Sequence, residues 1–193
     1  MGDFAAIFIG ACLVNNLILD AMLGLPPAIA VSKKIETATG MALAMSIALV
    51  ITTVITYPLY SLLLVPAGLE NLQTFIFIIV ITTGIKLADV LIKSFKPVLH
   101  DKVAAFVPLT IINSAALGAA TINIQASHGI IGSLFFGLGA AAGYGGVIIA
   151  LSAMHERIME TVVPAPFRGI AIRLISLGIM AMAFMGFKGV VNL

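Results

Sequence analysis

Six runs of apolar residues, near 3–24, 40–66, 74–92, 103–122, 130–153 and 170–191, divide the 193-residue chain, with short polar segments between them. Each approaches the ~20 residues an α-helix needs to cross a bilayer core, so the pattern predicts an all-α membrane protein with six transmembrane helices. Little chain remains for a soluble domain, and residues 1–193 are expected to form a single integral membrane domain. The joining segments, 32–36, 66–73, 93–102, 123–128 and 155–168, are short enough for their charges to report orientation. The first, third and fifth carry Lys33 and Lys34; Lys93, Lys96 and Lys102; and Arg157 and Arg168, whereas the second and fourth carry no Lys or Arg. Basic loops stay cytoplasmic, which places both termini on the outer side. Lys188 is then expected to snorkel toward the outer interface.

The stretch from Lys34 to Gly40 resembles that from Asn123 to Gly129 in pattern and in position before the next apolar run. With three helices per half, the second copy must insert upside down, so the chain is expected to hold two inverted three-helix repeats, approximately 1–97 and 98–193. The first and fourth spans are expected to be broken. One carries Asn15, Asn16 and Asp20 and ends in Gly24-Leu25-Pro26-Pro27; the other carries Pro108, Thr110, Asn113, Ser114 and Gly118. Proline removes a backbone donor, and free carbonyls at membrane depth need shelter from protein or water. The repeat register sets Pro26 opposite roughly Ser114.

Polar and ionisable groups within a membrane are costly and point to function, so Asn15, Asn16, Asp20, Asn113 and Ser114 are the ion-path candidates. Helical spacing would put Asn16 and Asp20 on one face. The plainer reading of Asp20 is a carboxyl hydrogen-bonded to a neighbouring protein of the same assembly. Lys86 and Asp89, three apart, are expected to pair with each other.

Composition narrows the class further. Hydrophobic residues make up 61% and charged residues 9% of the chain, with mean hydropathy +1.20, which no water-exposed fold sustains. A net charge of +2 gives no electrostatic basis for a nucleic-acid partner. The start lacks a basic segment and a small-residue cleavage site, so no removable signal peptide is expected. Cys12 is the single cysteine, which excludes an internal disulfide and reads as an apolar thiol within a span. His100, His128 and His155 are scattered, giving no metal triad. Gly137, Gly139, Gly143, Gly145 and Gly146 form a smooth helix surface for close packing; with no strand before them they do not form a phosphate loop. No nucleophile elbow indicates a hydrolase.

Several ordered segments then carry a resemblance: Leu13-Val14-Asn15-Asn16, Leu23-Gly24, Val31 to Ala38, Val163-Pro164-Ala165-Pro166-Phe167-Arg168-Gly169 and Ala183-Phe184-Met185-Gly186-Phe187, with Ser127-His128 and Glu156-Arg157 between. Over essentially its whole length the chain resembles the RnfA component of the Rnf complex, and more weakly the sister NqrE component of the sodium-pumping NADH:quinone oxidoreductase. The resemblance implies a prokaryotic inner-membrane complex that couples electron transfer between ferredoxin and NAD to sodium or proton transport. It implies flavin and iron-sulfur centres mostly on other subunits, and an oppositely oriented homologous partner. In the family, that pair holds a two-iron two-sulfur cluster with two cysteines from each member. Here Pro26 stands at the first cysteine position, in Gly24-Leu25-Pro26-Pro27, and Ser114 at the second, in Asn113-Ser114-Ala115. Cys12 matches neither. The chain is therefore expected to bind no cofactor of its own and to do scaffold and ion-path work. A stand-alone secondary transporter or channel, and a purely structural membrane component, are the alternatives.

Overall fold

The computed structural model describes residues 2–95, 100, 103–158 and 163–188, and all regular structure among them is helical. Helix α1 (Gly2–Ile9) runs into one wide π turn, Gly10–Val14, and stops. After a non-helical stretch come α2 (Leu25–Val31) and α3 (Ile35–Leu59), the latter extended by a π turn through Leu64. Then follow α4 (Gln73–Phe95), α5 (Val107–Ile111), α6 (Ser114–Gln125), α7 (Gly129–Arg157) and α8 (Ile170–Met185). Lys96 and Lys102 lie outside the described residues.

Three helical stretches are long and apolar enough to cross a membrane: Ile35–Leu64, Glu70–Ser94 and Gly129–Arg157. A fourth arises if Ala104–Ile111 and Ser114–Gln125, bent by 57° at their break, count as one. Phe4–Val14 and Ile170–Met185 are apolar but shorter. At 1.5 Å per residue, α8 spans only about 24 Å, and α1 with its π turn less. Large apolar side chains left uncovered, among them Phe75, Ile79 and Val90 on α4 and Ile179 and Met182 on α8, suit lipid or protein rather than water.

The centre is the pairing of α3 with α7, made close by the glycines. A Cβ on Gly137 would strike the Thr53 side chain and the Val50 Cα, and one on Gly145 would press on Ala42. The next face of the same helix takes α1: Gly139 lies against Phe8 and Ala11, and Gly143 against Cys12 and Asn16. The glycine run thus serves two neighbours at once, because without Cβ atoms helix backbones approach within direct contact. Met41, Met45 and Leu49 of α3, Tyr144, Ile148 and Leu151 of α7, and Leu17 and Ile18 of the non-helical stretch form the principal buried cluster.

The prolines do not break the helices. Pro26 and Pro27 occupy the first turn of α2, and Pro108 the first turn of α5, where the missing N–H would be unsatisfied in any case. Each marks where a helix resumes. Asp89 also departs from its expected partner: its Oδ1 meets Nε2 of His100 at 3.3 Å, and Lys86, exposed, makes no ion pair among the described residues. The first and fifth joining segments do meet, the Ile35 N–H donating to Glu156 Oε1 at 2.7 Å, so two of the Lys/Arg-bearing segments share one side of the bundle.

Candidate functional site

An asparagine sits at each interruption, Asn16 just after the π turn and Asn113 just before α6. Asn16, 1% exposed, donates from Nδ2 to the Cys12 carbonyl at 2.8 Å, while its Oδ1 accepts from the N–H groups of Ile18 at 3.0 Å and Leu19 at 3.3 Å. One amide therefore closes the end of the π turn and opens the turn that follows, satisfying groups that hydrocarbon would leave unpaired. Asn113 works at the start of a helix instead. Its Oδ1 accepts from Ala115 N–H at 3.0 Å, which caps α6. Its Nδ2 donates to Tyr144 Oη at 2.9 Å and to Met45 Sδ at 3.2 Å.

The two interruptions meet at Gly24. Its N–H donates to Ser114 Oγ at 3.0 Å, and its carbonyl accepts from Tyr144 Oη at 3.3 Å and from Ala28 N–H at 3.2 Å. Gly24 holds φ +73°, in the left-handed region, and a Cβ there would fall 2.7 Å from Asn113 Oδ1 and 2.8 Å from Tyr144 Cε2. Only glycine fits both the conformation and the space. Beside it Leu23 fills the notch over Gly118. Ser114 thus meets Gly24, two residues before Pro26.

The other candidates are placed apart. Asn15 is exposed at the end of the π turn. Asn16 and Asp20 do not share a helix face: the Asp20 N–H still reaches the Asn16 carbonyl at 2.9 Å, but the helix has ended, and Asn16 is buried where Asp20 is exposed. Asp20 finds its counter-charge within the chain, its Oδ1 lying 2.6 Å from Lys188 Nζ. Lys188 is therefore paired with a carboxylate instead of snorkelling alone. Sequence reasoning missed Tyr144, although it is the single phenol in the apolar run 130–153 and a hydroxyl there must find a partner.

The junction does not suit an iron-sulfur cluster. Pro26 offers no ligand atom, and Ser114 Oγ is occupied by Gly24 N–H. Such clusters are held by thiolates, and the one thiol, Cys12, belongs to the α1–α7 contact. Among the described residues no group of three or more His, Cys, Asp or Glu could hold a metal ion. The histidines are dispersed: His100 meets Asp89, His155 accepts from Arg173, and His128 sits before α7, where burial lowers its pKa below the ordinary value.

A family model described as "Rnf-Nqr subunit, membrane protein" matches residues 4–191. Among curated relatives, a protein of Thioalkalivibrio sulfidiphilus is 42% identical over 192 residues, covering 100% of both chains. One of Vibrio cholerae (El Tor Inaba) is 42% identical over 193 residues, again 100% of both, and one of Yersinia enterocolitica is 41% identical over 192 residues with the same coverage. All three carry the name of the A component of an ion-translocating oxidoreductase complex.

Proposed function

Since the chain belongs to the Rnf-Nqr family of membrane subunits, we propose that it is a membrane component of an ion-translocating oxidoreductase complex that couples electron transfer between ferredoxin and NAD to sodium or proton movement. Its own part is scaffold and ion path, not electron carriage. The junction of Gly24, Asn113, Ser114 and Tyr144 supports this: neutral hydrogen bonds join two membrane-depth interruptions where the family pattern has cysteines. Flavin and iron-sulfur centres then belong to partner proteins of the complex, one of them an oppositely oriented homologue.

In this reading the first span runs from α1 through α2, α8 is the sixth, and the halves 1–97 and 98–193 are inverted copies with both termini outside. Asn16 and Asn113, spent on backbone groups, hold the wall of the path. Asn15, Asp20 and Ser114, none of them fully buried, face it. A cation crossing here would meet amide and hydroxyl dipoles, with the Asp20 carboxylate near one end.

The test is the complex purified through a tag on this chain and reconstituted into vesicles. Ferredoxin-driven NAD reduction should be accompanied by ion uptake, and Asn15→Ala and Ser114→Ala should lower ions moved per electron while leaving the redox rate largely intact. Iron content per complex should stay the same in Ser114→Ala. Uptake by the chain alone in liposomes, with no redox partner, would overturn the proposal in favour of a stand-alone transporter; unaltered coupling in both variants would leave only the structural role.

A further inference from the structure

Beyond the junction, between α2, α7 and α8, lies a cavity of about 840 Å³ with Pro26, Ile29, Ala30, Ile170 and Leu174 among its apolar walls. Its inner surface carries Arg173, 7% exposed. The guanidinium donates from Nη1 to the Ile29 carbonyl at 3.1 Å and from Nε to His155 Nε2 at 3.3 Å. The acceptors are a backbone carbonyl and an imidazole nitrogen, and Arg173 makes no ion pair among the described residues. A buried guanidinium normally has an anion beside it. Lys33, exposed at the rim of the same cavity, adds a second cation, likewise without an ion pair among the described residues.

The start of α8 points to the same chemistry. Its N-cap, Gly169, offers no side chain to the first-turn N–H groups, and a Cβ there would meet nothing within 4 Å, so space stands open before a 16-residue helix whose N-terminus favours an anion. Gly169 and Arg173 are four apart, and Ile170 and Leu174 repeat that spacing beside them, so cation and apolar wall run along one face of the helix. Two residues of its lining, Lys33 and His155, belong to the first and fifth joining segments, which meet at Ile35 and Glu156. Two cations and an uncapped helix start above an apolar trough match a phosphodiester with acyl chains; a soluble anion would leave the trough bare.

We infer that this cavity binds the headgroup of an anionic phospholipid, with the phosphate at Arg173, Lys33 and the start of α8 and an acyl chain along Pro26 and Leu174. The inference needs only that the chain sits in a membrane, so it stands or falls apart from the redox reading.

The experiment uses the full chain, extracted in mild detergent with its accompanying proteins, and measures co-purified lipids by native mass spectrometry and extraction. Phosphatidylglycerol or cardiolipin should be retained over phosphatidylethanolamine. Lys33→Gln and Arg173→Gln should each lower retention about fivefold, with Arg173→Lys keeping most of it. Because Arg173 also holds Ile29, the exposed Lys33 gives the variant least able to disturb folding. In delipidated protein, phosphatidylglycerol should raise the unfolding temperature where phosphatidylcholine and inorganic phosphate do not. Equal stabilisation by phosphatidylcholine, stabilisation by phosphate alone, retention unchanged in Lys33→Gln and Arg173→Gln, or crosslinking of Ile170→Cys to a partner protein in place of lipid would each overturn the assignment.

Discussion

Gly24 and Gly68 have nearly the same backbone, φ +73° and +66°, but a Cβ at Gly24 would meet three atoms within 3 Å and one at Gly68 would meet none within 4 Å. Alanine at either position incurs the left-handed strain of about 1 kcal/mol. At Gly24 it must also displace Asn113 Oδ1 and the Tyr144 ring, which are fixed by the Ala115 cap and by the hydrogen bond between the two side chains. Forcing a methyl into such a site costs about 1–3 kcal/mol more. Gly24→Ala should therefore destabilise by about 2–4 kcal/mol against about 1 kcal/mol for Gly68→Ala, a separation of roughly 3–10 °C in unfolding temperature. Cys12, the single thiol and partly buried within the α1–α7 contact, reports unfolding directly: a thiol-reactive fluorophore added to the detergent-solubilised chain during heating marks its release. Tyr144→Phe in the Gly24→Ala background relieves one of the three contacts, so the double variant should lose less than the two single losses summed. If both alanines shift the transition equally, the junction is loose and the two interruptions are not held together through Gly24.

Gly143→Val must push a branched side chain against the Cys12 backbone and Asn16 Nδ2, whereas Gly146→Val enters open space; folded yield from membranes should collapse for the first and hold for the second. Asn16→Ala removes three hydrogen bonds around a buried helix end and should cost about 2–4 kcal/mol, read from the same thiol-release curve; a loss below about 1 kcal/mol would mean that water or a neighbouring group replaces the amide. Asp20→Lys sets two ammonium groups together where a 2.6 Å pair stood. It should lower the unfolding temperature, and adding Lys188→Asp should recover most of the loss; absence of recovery would show that the pair does not persist in solution.

The helices and their glycine contacts were legible in the sequence because they depend on local pattern: uninterrupted apolar runs make α3, α4 and α7, and clustered glycines allow close approach. The polar clusters also marked the interrupted stretches. What the sequence misattributed was cause. Proline is the usual suspect for a break, yet Pro26 and Pro108 begin helices, and asparagine amides take up the backbone groups beside the breaks, Asn16 after the π turn and Asn113 at the start of α6. An Asn in an apolar run followed by residues with free N–H groups carries that signal, but it becomes decisive only once burial excludes water as a competitor. Long-range partners were not legible at all. Lys188 for Asp20, His100 for Asp89 and Tyr144 for Asn113 lie apart along the chain, and packing alone brings them together.

Tying the two interruptions with Ser114, Tyr144 and Gly24 has a consequence for how the protein is made. A fold whose central knot is a metal centre must wait for that centre to be delivered before the knot can close. This chain closes its knot with groups it carries from the ribosome, hydroxyls, an amide and a backbone N–H, so closing it needs no delivered metal.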